Sequence, residues 1–176
     1  VAFGWADARD WLPDLAVGWT FIACGLVAWS RRPESRTGVL LTVTGFAWFV
    51  GNFAGPLVYL YRGPLFHCIL AYPSGRLRSR LDRVAVACGY AAALVPAVGR
   101  SEIATIVLAA LLVAVAVWDY LRAVGRERRA RVPVVQAALA LGLVLSAGAA
   151  ARLTFPAGDA NEVVLLGYEA ALVAVA

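Results

Sequence analysis

Long apolar runs recur from one end of this chain to the other, and the short segments between them carry arginine as their only basic residue. The runs lie at about 12–29, 37–53, 57–72, 84–98, 103–121 and 132–151. A helix crosses a bilayer with about 20 consecutive apolar residues. One water-soluble core could not bury so many runs approaching that length. Composition points the same way, with 62% hydrophobic residues, 15% charged residues and a mean hydropathy of +0.76, against roughly 25% charged residues in a soluble domain. The pattern predicts an all-α fold, a polytopic transmembrane helix bundle forming one domain over residues 1–176. Helices keep their backbone hydrogen bonds internal, which the hydrocarbon region demands.

Turn residues punctuate the runs: Gly55-Pro56 before the third, Pro73-Ser74-Gly75 after it, and Gly99 to Glu102 between the fourth and fifth. Asp7, Asp10 and Asp14 precede or open the first run, which lacks the basic leader of a signal peptide and is kept as a spanning helix. A last run starts at Val163 and stops at Ala176, roughly 14 residues against the ~20 of a crossing. It is expected to be a truncated seventh helix, following six complete ones. On the second run Gly38, Thr42, Gly45 and Asn52 recur at helical spacing. Gly142, Ser146 and Ala150 do the same on the sixth. Such small-residue faces suit close helix packing in lipid.

Arginine placement fixes an orientation. The loops 30–36, 73–83 and 122–131 hold twelve of the sixteen arginines. The positive-inside rule then places these loops in the cytoplasm and the N-terminus outside. A bacterial plasma membrane crossed several times is the expected location. The net charge of +5 therefore reports topology. No nucleic-acid partner is expected, because the basic residues sit in loops and not along a helix face. Arg76, Arg78, Arg80 and Arg83 would meet lipid headgroups at that surface.

Ionisable residues inside the runs stand out, since a charge at mid-membrane costs about 2.5–3.5 kcal/mol on insertion scales. His67 is the only histidine and shares a face of the third run with Gly63 and Ala71. It is a neutral side chain bonded to a neighbouring helix or a protonation- or ligand-sensing site. Pro64 is expected to kink that helix by removing the amide that would bond to Leu60. Arg62 sits nearer the edge, beside Tyr59 and Tyr61, as a snorkelling anchor. Glu169 lies about two turns into the last run, and pairing with Arg62 or His67 is expected. Asp119 is within one turn of Arg122, which predicts an ion pair on one helix. With Asn52, the residues His67, Arg62 and Glu169 form the candidate intramembrane polar set.

No enzyme signature appears among these residues. Lysine is absent, which excludes a retinal Schiff base, and P-loop, H-E-x-x-H and G-x-S-x-G patterns are missing. Cys24, Cys68 and Cys88 stand singly in apolar runs and read as small packing residues. No catalytic, cofactor-binding or metal-ligating residue is assigned.

The words GFAWFVGNF (45–53), YLYRGPLFHCILAYPSGR (59–76) and RLRSRLDR (76–83) resemble the membrane-embedded N-terminal region of actinobacterial sensor histidine kinases. The resemblance centres on about 40 residues, from Gly45 to Arg83. It implies a homodimeric signal-input module whose last helix continues into a cytoplasmic kinase domain absent from these residues. That domain would use ATP and Mg and would address a cognate response regulator. His67 could not be the phosphoacceptor, which belongs to a cytoplasmic helix. Two other readings stay open: a small transporter or channel, and a membrane scaffold subunit without kinase output.

Overall fold

A computed structural model describes residues 8–154, 167, 169–174 and 176, and every described element is helical. Helix α1 spans Ala8–Arg31 and α2 Thr37–Phe53. A 3-10 turn at Gly55–Leu57 leads to α3, Arg62–Ala71. There follow α4 at Arg80–Leu94, a single turn α5 at Pro96–Gly99, α6 at Glu102–Arg122 and α7 at Arg126–Thr154. Residues 169–174 are again helical. The start of the expected seventh helix lies outside the described residues.

Three segments are long and apolar enough to cross a membrane: Trp11–Arg31 within α1, and the whole of α6 and α7. Their outward faces are apolar, with Trp19 61% and Leu143 72% exposed, a surface suited to lipid and not to water. The expected six complete crossings are not supported. α2 has 17 residues, α4 has 15 and α3 only 10, and ten helical residues rise about 15 Å, half the ~30 Å of hydrocarbon.

Proline chemistry accounts for the short α3. Pro64 was expected to kink a longer helix, but α3 begins at Arg62 and leaves Pro64 in its first turn. There its missing amide has no helical partner to lose. The preceding residues turn instead of extending the helix, with the Leu60 amide donating to the Leu57 carbonyl and the Arg62 amide to that of Tyr59.

Capping sets the start of α4 one turn before the apolar run. Ser79 Oγ accepts from the Asp82 amide at 2.9 Å, and Asp82 Oδ2 accepts from the Ser79 amide at 2.9 Å. This reciprocal capping box satisfies two of the donors orphaned at a helix N-terminus. Ser79→Ala is expected to cost about 1 kcal/mol, measurable as a lower unfolding midpoint in detergent micelles.

The helices pack as antiparallel hairpins: α1 on α2, α3 on α4, and α6 on α7. The first uses the small-residue face read from the sequence. A Cβ at Gly38 would lie 2.5 Å from the Trp29 amide nitrogen, and one at Gly45 2.7 Å from the Gly18 carbonyl oxygen. Backbone therefore meets backbone along this seam. Its α1 half, Gly18 and Gly25, escaped the sequence reading. On α7, Gly142 receives the Val113 side chain of α6.

Helix α3 occupies the centre, touching α2, α4, α6 and α7. Nine of its ten residues are buried, His67 being the half-buried one. Leu65, Phe66 and Leu70 anchor a core that also takes Phe21 from α1, Leu112 from α6 and Leu141 from α7. The arginine-rich loops converge at one end. The Arg36 amide donates to the Ser74 carbonyl at 3.2 Å, and the Ser35 and Thr37 hydroxyls both donate to that of Pro73. Gly75 closes this junction with φ +72°, where a Cβ would meet the Arg36 backbone at 2.7 Å.

Candidate functional site

Two polar clusters flank the central helix, one at each end of the bundle. At the end opposite the arginine-rich loops, Arg62 Nη1 donates to the Gly99 carbonyl at 3.1 Å and to Thr105 Oγ1 at 3.2 Å. Its guanidinium carbon stands 4.3 Å from the centroid of the Tyr59 ring. The residue is buried. The snorkelling anchor expected from the sequence is therefore corrected: Tyr59 does contact Arg62, but the side chain turns inward to join α3 to α5 and α6. Buried charge persists where hydrogen bonds replace water, and a carbonyl with a hydroxyl provides that here.

Next to it, Arg152 of α7 holds Glu102 of α6 through two hydrogen bonds, Nε to Oε1 at 2.7 Å and Nη2 to Oε2 at 2.9 Å. The paired geometry matches the guanidinium fork to both carboxylate oxygens. Thr105→Val removes one acceptor from a buried cation. It is expected to cost about 1–2 kcal/mol, read as a drop in unfolding midpoint that Thr105→Ser does not show.

At the arginine-rich end, Asp119 Oδ2 accepts from Arg131 Nη1 at 2.8 Å. The expected pairing of Asp119 with Arg122 is corrected. Arg122 lies over the Trp118 ring, 4.2 Å from its centroid, while α7 starts at Arg126 and brings Arg131 inward. Arg131 is 5% exposed. It is the only one of the twelve loop arginines that the structure buries, and the sequence reading counted it with the others. Arg76, Arg78, Arg80 and Arg83 are exposed, and Arg78 pairs with Glu127 of α7.

Between the clusters, His67 meets Tyr90 of α4 edge to face, with ring centroids 6.3 Å apart. The same Tyr90 packs over Gly63, so the small face of α3 does admit a neighbouring helix. Cys68 is buried, with its sulfur 4.0 Å from the Thr37 carbonyl oxygen. A cavity of about 240 Å³ opens beside it, walled mainly by Leu41 of α2, Leu65 and Ile69 of α3, and Val134 of α7.

Glu169 is 6% exposed, and the charge that bears on it is Asp14 of α1. Among the ion pairs of the described residues, none joins Glu169 to Arg62 or His67. The structure thus separates the polar set that the sequence grouped. Arg62 belongs to the α5–α6 cluster, His67 to Tyr90, and Glu169 to the neighbourhood of Asp14. Asn52 lies in the last turn of α2, and its side chain falls outside the described residues. Among the described residues, no group of three His, Cys, Asp or Glu side chains is arranged to hold a metal ion.

Compared with family models, with curated proteins and with solved structures, the chain matches none of them.

Proposed function

We propose that these residues form the membrane-embedded signal-input region of a sensor histidine kinase in a bacterial plasma membrane. The words at 45–53, 59–76 and 76–83 support this reading, and so does the position of the helix that two of them encode or border. A helix packed against four others is a natural relay, because a change at its surface alters several interfaces together. α3 is such a helix, with Arg62 anchoring one end and the Pro73 to Gly75 junction the other.

In this reading the arginine-rich end faces the cytoplasm and the N-terminus lies outside. Six helices and the start of a seventh make the bundle, the shorter ones held among the three long ones. The seventh, carrying Glu169, passes the repacking of α3 to a kinase module that follows it. ATP and Mg belong to that module, and a homodimer and a cognate response regulator are its partners. A lipid, a proton or a small apolar molecule is the class of stimulus suited to so apolar an interior.

The test uses the full-length gene product in liposomes, with ATP-dependent autophosphorylation as the readout. His67→Ala and Glu169→Gln are expected to change the response to stimulus while leaving basal phosphorylation in place. Disulfide cross-links that pin the seventh helix to α1 are expected to abolish the response. A gene product that carries no autophosphorylating histidine overturns the reading in favour of a transporter or a scaffold subunit.

A further inference from the structure

The cavity beside Cys68 has an apolar floor and an arginine-flanked mouth. Leu65 and Ile69 of α3 and Val134 of α7, all buried, form the floor, while Tyr72 and Pro133, both exposed, form the rim. The polar groups on its wall are already engaged. The Thr37 hydroxyl donates to the Pro73 carbonyl at 2.9 Å, and the Cys68 thiol lies 4.0 Å from the Thr37 carbonyl oxygen. Water in such a space lacks the two to four polar partners that hold a buried water, and an apolar cavity of about 150 Å³ stays dry and takes up benzene. At about 240 Å³ this cavity has room for a longer apolar body.

Its place in the bundle says what that body carries at its end. Thr37 starts α2, Tyr72 directly follows α3, and Pro133 stands in the second turn of α7, so the rim belongs to the arginine-rich end. A tyrosine there suits the boundary between hydrocarbon and headgroups. Arg36 directly precedes Thr37, and Arg129 stands one helical turn before Pro133, both exposed. The acids of α6 and α7 at this end are held by other arginines, Glu127 by Arg78 and Asp119 by Arg131. Among the described residues, Arg36 and Arg129 enter no salt bridge, nor does Glu34 of the loop before α2. Cations beside an apolar hollow complement an anion that carries an alkyl chain.

We propose that this cavity seats one acyl chain of an anionic phospholipid from the leaflet at the arginine-rich end, with the phosphate paired to Arg36 and Arg129. The inference rests on the membrane-embedded reading above and narrows its stimulus to a lipid; it requires no kinase output. Inside a bilayer an acyl chain gains little from leaving its neighbours, so selectivity comes from close packing in the cavity and from charge at the mouth. The second chain of the lipid stays among the surrounding lipids. A seated chain touches α2, α3 and α7 together, because residues of all three line the cavity. Occupancy therefore bears directly on the packing of the central helix.

Native mass spectrometry of the intact protein, released from micelles with added dioleoyl-phosphatidylglycerol or dioleoyl-phosphatidylcholine, tests it. The two lipids share their chains and differ in head charge. The wild type is expected to retain one phosphatidylglycerol in preference to phosphatidylcholine. Arg36→Gln and Arg129→Gln should each weaken that retention about fivefold, the effect of losing one cation near a headgroup. Ala137→Leu adds bulk to the cavity wall and should abolish the tight site, whereas Ala140→Leu adds the same bulk at an exposed position of α7 and should keep it. Wild-type protein that retains both lipids equally, or neither, overturns the proposal, and that measurement needs no variant to fold. Full retention by Ala137→Leu overturns it too, as does displacement of the lipid by glycerol phosphate, which has the head without the chain. A gene product that autophosphorylates but fails the lipid test removes this inference and leaves the kinase reading standing; lipid selectivity without autophosphorylation does the reverse.

Discussion

Replacing Arg131 with alanine is expected to destabilise the protein by about 3–5 kcal/mol, the cost of stranding a buried charge. The side chains of Arg131 and Asp119 are only 6% and 11% exposed, and they meet at 2.8 Å. Removing the guanidinium strands the Asp119 carboxylate, and water cannot replace it without opening the helix ends. Unfolding by denaturant in micelles, followed through the six tryptophans, measures the loss. Arg129→Ala, at an exposed position two residues away, is the control and should change stability by no more than about 0.5 kcal/mol. Arg131→Met combined with Asp119→Asn should recover part of the loss, because it removes both charges together. Equal effects of Arg129→Ala and Arg131→Ala would mean that the pair contributes nothing to folding.

The second large effect is expected where backbone meets backbone. Gly38→Ile places a branched side chain where even a Cβ would sit 2.5 Å from the Trp29 amide nitrogen and 2.7 Å from the Gly25 carbonyl oxygen. Neither neighbour can turn aside, as the tip of a side chain could. Overpacking ordinarily costs about 1–3 kcal/mol, and rigid walls on both sides put this site at the upper end. In lipid no hydrophobic drive holds α1 to α2, so the close contact itself is the attraction, and losing it separates the helices. A cysteine pair across the α1–α2 seam should cross-link efficiently in the native protein and poorly in Gly38→Ile. Gly55→Ala provides the comparison, since a Cβ there meets nothing within 4 Å. Undiminished cross-linking in Gly38→Ile would show that the seam does not depend on close approach.

Much of the architecture can be read in the chain because its physical causes are local. Apolar runs and their turn residues predict α2 at its observed bounds, and α6 to within one residue at each end. The helix starts were less legible where polar residues fold into helix. α4 begins at Arg80 because Ser79 and Asp82 cap it, and that S-x-x-D signal lies in the arginine-rich stretch that a search for apolar runs passes over. α7 begins at Arg126, since a helix supported by its neighbours carries exposed arginines at no penalty to its apolar face.

The candidate site was legible only in part. Side-chain identity singled out Arg62, His67 and Glu169 as ionisable residues in apolar runs, and the structure buries Arg62 and Glu169. Their partners could not be read. Which group meets Arg62 depends on the turn that carries Gly99 back toward Thr105. Which aspartate meets Arg131 depends on the pitch of α7 against α6. These are contacts between residues 12 to 43 positions apart, fixed by hairpin register and not by local propensity.

The sequence by itself determined an all-helical chain with membrane-crossing segments, its arginines gathered in three loops and glycines along the α2 seam. Those features follow from hydration and backbone sterics acting residue by residue. Only the tertiary structure decided that the third of the six predicted helices shrinks to ten residues and lies at the centre, that Arg62 and Arg131 turn inward, and that Asp119 meets Arg131. The reason is that burial is a property of neighbours: a charge leaves water only where a carbonyl, a hydroxyl or an opposite charge from another helix already stands.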